Sequence, residues 1–194
     1  QTEKSLNETL DFCTSLGVPH ISAYMLKIEE NTHFYKNRHK YAFPDDDLTA
    51  DLYLQMCETL EKNGIMQYEI SNFAKKGYES RHNLNYWKRG EYIGVGVSAS
   101  SFMQGKRLTN TFDLDEYMKC IISGFYPAVT SEEVNEKDAK FEYVMLALRT
   151  TKGLSMNEYK EKLADLNLPE DFLASEGFKS LDVNADVELT DEIR

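Results

Sequence analysis

The stretch of sequence that decides the fold is residues 44–70, PDDDLTADLYLQMCETLEKNGIMQYEI. It begins with Pro44 and three acidic residues, which favour the positive end of a helix dipole. Apolar residues then recur every four positions until Gly64 ends the pattern. A short apolar run at 66–70 follows at once, so the stretch predicts a helix and then a strand. The inner face of the helix is expected at Leu48, Leu52, Met56 and Leu60.

The same order occurs upstream of this stretch. Residues 6–16 carry apolar side chains at helical spacing, with Thr2 as the expected N-cap and Gly17 after the last turn. Residues 20–26, HISAYML, are short, apolar and bounded by turn signals, which is typical of a buried strand. The order helix, strand, helix, strand predicts β-α-β units on a parallel sheet.

Downstream of Ile70 the composition changes. Residues 71–111 are rich in Gly, Ser, Asn, Tyr and Arg, and a loop region this long is usually functional. Within it the small residues at 92–101 predict a strand, and residues 113–123 predict a short helix.

The tail predicts a small winged-helix-like domain over residues 127–194, after a first domain over residues 1–126. Thr130, in a T-x-x-E capping box, or alternatively Asn135 would begin its first helix. Ser155 would begin the second, residues 171–181 the third, and residues 183–189 would form a hairpin. Residues 130–194 contain 8 Lys and Arg against 16 Asp and Glu. Because a DNA-reading domain needs a basic face, this composition favours packing or partner binding instead.

Charge and cysteine content exclude several classes of protein. The 194 residues carry a net charge of −11, which argues against coating nucleic acid or an anionic membrane. No stretch approaches the about 18 apolar residues of a membrane span. Cys13, Cys57 and Cys120 are too few and too far apart for a disulfide framework or a metal knuckle. A reducing, cytoplasmic compartment is therefore expected.

The most concentrated chemical segment is residues 82–87, HNLNYW, which holds His82, Tyr86 and the only tryptophan, Trp87. A histidine can ligate heme iron axially, and aromatic rings can pack against a macrocycle. The alternative is a loop whose rings cover the core while His82 makes hydrogen bonds, and the residues alone favour that alternative.

Three weaker signals accompany this segment. Residues 94–99, GVGVSA, match the G-x-G-x-x-A fingerprint of dinucleotide-binding loops, which needs a helix directly after it. No helix is expected there, so we favour a strand of small residues that another backbone or a ligand approaches closely. Glu29 and Glu69 follow strands, at the ends where α/β folds bind ligands. Basic residues outnumber acidic ones between positions 75 and 107 and could meet carboxylates or phosphates. They are Lys75, Lys76, Arg81, Lys88, Arg89, Lys106 and Arg107.

Several segments resemble, in order, one known family. They are HISAY at 20–24, YEISNFA at 68–74, HNLNYW at 82–87, YIGVG at 92–96 and the pair Ser98 and Ala99. This pattern is that of oxygen-independent coproporphyrinogen III oxidase-like radical SAM proteins, and H-N-x-x-Y-W is specific to their heme chaperone branch. Glu142, Leu148, Arg149 and Gly153 are similar to the family's small C-terminal domain.

The resemblance implies part of a (β/α) radical SAM barrel with the winged-helix-like domain, an α/β fold. It implies S-adenosylmethionine, a [4Fe-4S] cluster and a porphyrin ligand in full-length members. The family's C-x-x-x-C-x-x-C motif does not occur here, so the chain is expected to be the C-terminal half, without iron–sulfur ligands, unable to perform radical chemistry alone. The family's S-adenosylmethionine contacts carry over only to Met25 and Ser100.

By the same resemblance, His82 would be the heme iron ligand. Tyr86 and Trp87 would pack against the porphyrin, while Arg81, Lys88 and Arg89 would pair with its propionates. The leading hypothesis is part of a chaperone that holds heme and passes it to apo-hemoproteins. The alternatives are a coproporphyrinogen III oxidase of heme biosynthesis and an acidic winged-helix interaction module. No nucleic-acid partner is expected. We do expect self-association of the chain and a peripheral membrane location through a partner.

Overall fold

The structure is a computed structural model that describes residues 2–166 and residue 168. Within this part the chain forms two compact units. We call residues 2–79 the N-terminal unit and residues 80–166 with 168 the C-terminal unit. The domain boundary expected between residues 126 and 127 stays a prediction.

The N-terminal unit contains two long helices at the positions that the sequence predicts, and the predicted N-cap of the first, Thr2, is confirmed. Thr2 caps α1 by accepting a hydrogen bond from the Ser5 amide, and Asp45 caps α3 by accepting one from the Leu48 amide at 2.8 Å. The helices end before Gly17 and Gly64, which both have a positive φ. The elements are α1 (Glu3–Ser15), β1 (His20–Ser22), α2 (His33–Lys36), α3 (Asp46–Lys62), β2 (Met66–Glu69) and β3 (Asn72–Ala74).

The sheet of this unit has the order β1-β3-β2, and both outer strands run antiparallel to β3. The expectation of a parallel sheet is therefore wrong for the described strands. The physical reason lies at residues 70–71, where the chain reverses after Glu69 and brings β3 back beside β2. The central strand thus takes the position next to β1 that a parallel neighbour would have had. The strand expected at residues 20–26 also ends early, at Ser22.

The core of the N-terminal unit is apolar and lies between α1, α3 and the sheet. Leu60 and Phe73 are completely buried in it. Each such side chain contributes about 1.5–3 kcal/mol through removal from water. The buried members are Leu6, Leu10, Leu52, Met56, Leu60, Ile65 and Phe73.

The C-terminal unit contains an antiparallel sheet of order β4-β5-β6 and four helices in its described part. Gln104 and Gly105 both have positive φ and join β4 to β5 in a two-residue turn that suits the strand twist. The elements are α4 (Arg81–Trp87), β4 (Ser100–Met103), β5 (Lys106–Asn110), α5 (Leu114–Ile122), β6 (Ala128–Glu133), α6 (Glu136–Ala147) and α7 (Met156–Lys162).

Two expectations for this unit are corrected. The strand expected at residues 92–101 forms only at its end, because Gly96 and Ser98 have positive φ and turn the backbone out of line. Thr130 does not begin a helix, because it lies in β6 opposite Thr109. Asn135, the alternative, is the N-cap of α6 and accepts a hydrogen bond from the Asp138 amide at 3.0 Å.

A second apolar core joins α6 to α7. Its buried members are Val144, Ala147, Leu154, Tyr159 and Leu163. The expected third helix at 171–181 and hairpin at 183–189 lie outside the described residues, so the winged-helix arrangement stays a prediction. Among the residues that the structure describes, no helix is long and apolar enough to cross a membrane.

Candidate functional site

The segment HNLNYW, expected from the residues alone to be a loop, forms most of the short helix α4. Ser80 caps it by accepting a hydrogen bond from the Asn83 amide at 3.3 Å. Arg81 and His82 are exposed in the first turn, whereas residues 83–87 are half-buried. The imidazole of His82 is therefore available to a ligand from solvent.

A row of aromatic rings runs from His82 into the unit. Residues four apart share a helix face, so the rings of His82 and Tyr86 meet edge to face with centroids 4.7 Å apart. Tyr86 contacts Tyr92 in the same way, also at 4.7 Å. Tyr92 in turn lies 6.4 Å from Phe102, and the two residues exchange backbone hydrogen bonds of 2.9 Å. This row attaches one face of α4 to β4.

Arg89, just beyond α4, is committed to other protein groups. Its Nε donates to Oε2 of Glu142 at 2.9 Å, and its guanidinium lies 4.5 Å from the centre of the Phe102 ring. Its Nη2 is buried and has no hydrogen-bond partner among the described residues. Arg107 donates to the other oxygen of Glu142 at 2.9 Å and to Glu132 at 3.2 Å.

The carboxylate of Glu142 is therefore shared by two guanidinium groups. Burial opposes ionisation of Glu142, but hydrogen bonds from Arg107 and Arg89 outweigh it and hold the pKa of this carboxyl below its ordinary value of 4.5. In agreement, the hydrogen bond to Glu142 raises the pKa of Arg107. A small cleft of about 200 Å³ lies here, between Tyr86, Arg89 and Glu142.

One face of the Trp87 ring is in contact with an arginine. The guanidinium of Arg149, which follows α6, lies 4.9 Å from the centre of the Trp87 ring, within the range of a cation–π contact. The Nε1 of Trp87 is buried and has no partner among residues 2–166 and 168. One face of the indole is thus already in contact with protein.

The GVGVSA segment forms a tightly held loop, and a strand rather than a helix follows it. The side-chain Nδ2 of Asn110 donates to the Gly96 carbonyl at 2.8 Å, and the Gly96 N–H donates to the hydroxyl of Tyr117 at 3.0 Å. A side chain at position 94 would collide with the backbone of Ser100. The favoured interpretation, close approach of another backbone, is confirmed at Gly94, whereas Gly96 has open space beside it and a positive φ. An open, mainly apolar cleft of about 450 Å³ borders this loop.

The expected carboxylates after the strands have different surroundings. Glu69 is buried and accepts a hydrogen bond from the side chain of Asn72, which itself accepts one from Ser22 at 2.5 Å. Glu29 is exposed and lies 2.9 Å from Lys27. Of the two, only Glu69 is part of a buried polar cluster.

Comparisons with known proteins bear on the whole chain. Over 164 residues, 84% of this chain and 43% of the relative, it is 35% identical to heme chaperone HemW of Bacillus subtilis. Over 189 residues, 92% and 42%, it is 30% identical to the mitochondrial radical S-adenosyl methionine domain-containing protein 1 of Danio rerio. No family model matches the chain.

The chain is therefore similar to heme chaperones and to a radical S-adenosyl methionine domain-containing protein over most of its own length. It spans about two fifths of the length of the curated relatives it matches. Its fold is similar to that of coproporphyrinogen III oxidase (HemN) from Escherichia coli, a radical SAM enzyme, with a TM-score of 0.68 over 90% of this chain and 43% of that one at 17% identity. The expected α/β radical SAM fold is confirmed by this similarity.

The two residues that the family resemblance assigns to S-adenosylmethionine lie in different units. Met25 follows β1 and is 56% exposed. Ser100 begins β4, is exposed, and its hydroxyl lies 3.3 Å from that of Thr109. Their contact with S-adenosylmethionine stays a prediction.

The cysteines do not fit a family-type iron–sulfur site within this chain. Cys13 lies on α1, Cys57 on α3 and Cys120 on α5, and all three are free thiols. Within residues 2–166 and 168, no three His, Cys, Asp or Glu side chains converge to hold a metal ion. We therefore derive no step through a cluster held by these residues.

The seven basic residues expected to attract an anionic ligand fall into three groups. Arg89, Lys106 and Arg107 form ion pairs with glutamates. Lys75 donates a hydrogen bond to the Gly17 carbonyl at 3.2 Å. Lys76, Arg81 and Lys88 are exposed, and the last two lie at the two ends of α4.

Three partners of α4 and Arg89 were missing from the sequence-based site: Phe102, Glu142 and Arg149. They contact Arg89 or Trp87 from 13 or more positions away along the chain, and no spacing rule connects such distant residues.

Proposed function

We propose that this chain is the heme-binding part of a heme chaperone, and that α4 carries the heme contact. The observation that carries the proposal is the exposed imidazole of His82, which stands in the first turn of α4 against the ring of Tyr86. A neutral imidazole is a common axial ligand of heme iron. The similarity to relatives named heme chaperones supports the same assignment.

In this proposal the heme is cargo, and α4 supplies three kinds of contact. His82 donates its imidazole lone pair to the iron, and the ring of Tyr86 packs beside the macrocycle. Arg81 and Lys88 pair with the propionates, because they are exposed at the two ends of the helix. Arg89, also expected to pair with a propionate, already pairs with Glu142, so we assign it a smaller share of that role.

In this proposal Trp87 packs less against the porphyrin than the family resemblance implies. Arg149 occupies one face of its ring, so only the other face and the edge remain for a porphyrin. Heme held largely at the protein surface can be passed on to an apo-hemoprotein, which is the further step that we propose for the complete protein. Full-length members of the family use S-adenosylmethionine and a [4Fe-4S] cluster.

The proposal is tested by titrating hemin into the protein while the Soret absorbance is recorded. The variant is His82→Ala, and the matched control is His39→Ala, which removes an exposed imidazole from the N-terminal unit. We expect a changed Soret position in His82→Ala and an unchanged one in His39→Ala. Residual hemin binding in His82→Ala is compatible with the proposal, since a porphyrin also buries apolar area. A Soret spectrum identical in wild type and His82→Ala would remove His82 as the iron ligand.

A second experiment, on the complete protein, distinguishes the chaperone from the oxidase alternative. An oxidase would decarboxylate two propionates of coproporphyrinogen, and this loss is read as a mass shift of the substrate. Hemin binding without that shift, measured on the complete protein, favours the chaperone.

A further inference from the structure

The C-terminal end of α4 has a conformation that its residues do not favour by themselves. The Arg89 amide donates to the Tyr86 carbonyl at 2.9 Å and the Gly90 amide to the Asn85 carbonyl at 2.8 Å. This is the Schellman pattern, in which the residue after the cap is left-handed and is usually glycine. Here that residue is Arg89, with φ +55. An arginine in this conformation needs support from its surroundings.

Glu142 on α6 provides this support. Each of its two carboxylate oxygens accepts a hydrogen bond of 2.9 Å, one from Arg89 and one from Arg107 on β5. The side chains of Arg89 and Glu142 are only 18% and 22% exposed, so water screens this pair less than a surface pair. We call Glu142 with its two arginines the Glu142 clamp.

A second contact reaches α4 from the end of the same helix. Arg149 lies seven positions after Glu142, about two helical turns, and its guanidinium rests on Trp87. Glu142 on α6 and Arg149 after α6 therefore hold α4 at two neighbouring points. Arg149 contacts Trp87 in the last turn of α4, and Glu142 contacts Arg89 just beyond that turn.

The helix needs this external support because it has little of its own. It is only seven residues long, and none of its side chains is fully buried. An isolated helix of this length is unstable in water. Its position must therefore come from the aromatic row, the Glu142 clamp and the Arg149 contact.

We propose that Glu142 is a positioning residue for the α4 ligand site, which acts on His82 through Arg89 without touching the ligand. This inference rests on the proposed function for its heme readout. The carboxylate fixes the last turn of α4, and the helix transmits that position over two turns to the imidazole. Loss of the carboxylate charge leaves two guanidinium groups competing for one amide oxygen, so the end of α4 loosens.

The chain offers matched variants for a test. Glu142→Gln keeps the size of the side chain and removes its charge, while Glu142→Asp keeps the charge on a shorter side chain. The control is Glu133→Gln on β6, which removes an exposed carboxylate that is paired with Lys106 at 3.6 Å. Circular dichroism establishes that each variant is folded.

The first readout needs no heme. Trp87 is the only tryptophan in the chain and lies on α4, so its fluorescence reports on this helix alone. We expect a red-shifted emission and stronger acrylamide quenching in Glu142→Gln, a smaller change in Glu142→Asp, and wild-type behaviour in Glu133→Gln. If Glu142→Gln does not fold, Arg149→Gln tests the second contact by the same fluorescence.

The second readout is the hemin titration. We expect Glu142→Gln to weaken hemin binding about tenfold and to shift the Soret band towards that of His82→Ala, since a charged hydrogen bond is worth about this factor or more. Wild-type fluorescence together with a wild-type Soret band in Glu142→Gln would overturn the inference. A wild-type protein without any His82-dependent Soret band would instead overturn the proposed function, and the Trp87 emission would still decide whether Glu142 positions α4.

Discussion

Helices α3 and α4 are held in place by different physical means. Helix α3 has 17 residues and buries Leu52, Met56 and Leu60 in an apolar core. Helix α4 has seven residues, buries none of them fully, and is fixed by edge-to-face rings, a cation–π contact and a shared carboxylate. The comparison teaches that a structural helix is recognisable from its own periodicity, whereas α4, the helix of the proposed ligand site, depends on residues far away in the sequence.

The largest expected effect concerns α3 and the apolar core that holds it. Leu60→Ala removes a completely buried side chain from α3 and should lower the free energy of unfolding by about 2–5 kcal/mol. Leu54→Ala, on the same helix but 51% exposed, should change it by no more than about 0.5 kcal/mol. Urea denaturation followed by circular dichroism measures both. Equal effects of the two substitutions would contradict the assigned inner face of α3.

An intermediate effect concerns α4 and the Glu142 clamp. Glu142→Gln should destabilise α4 locally by about 1–2 kcal/mol, because charged hydrogen bonds are lost at a site that solvent still partly reaches. Native-state hydrogen exchange should therefore show faster exchange in the α4 amides and unchanged exchange in the α3 amides. Uniformly faster exchange in both helices would show that α4 is coupled to the global core instead.

The smallest expected effect is the acid sensitivity of the C-terminal unit. The pKa of Glu142 lies below its ordinary 4.5 in the folded protein, because its two arginine partners outweigh the burial that would raise it. A lowered pKa contributes stability that is present above about pH 4.5 and is lost as the pH falls through the folded value. Trp87 fluorescence of the wild type should report this loss below pH 4.5, and that of Glu142→Gln should lack it. An identical acid profile in both proteins would remove Glu142 as the responsible group.

Much of the fold could be predicted because its signals are local. The N-cap Thr2, the acidic residues after Pro44 and the glycines at 17 and 64 predicted α1 and α3 almost to the residue. The antiparallel sheet could not be predicted in this way, because Ile70 is not a typical turn residue and helix–strand alternation favours parallel strands. Tertiary pairing overrode the local pattern there.

The candidate site could be predicted only where its residues are close neighbours in the sequence. His82, Tyr86 and Trp87 were visible because unusual residue types lie close together in the sequence. The helical form of the segment had one local signal, Ser80 before Arg81 as an N-cap, which the aromatic and polar composition concealed. The pairing of Arg89 with Glu142 had none, since 53 positions separate the two residues.

The central position of β3 has a consequence for how the chain folds. Strands β2 and β3 are joined by two residues, so their pairing closes a very short loop, whereas His20 of β1 pairs with Ala74 across more than fifty residues. Closing the longer loop carries a larger entropic penalty, and non-local strand pairing is slow for that reason. The hairpin can form first and present the free edge of β3 as a template, onto which β1 then docks. The order of strands in space thus sets an order of events in time.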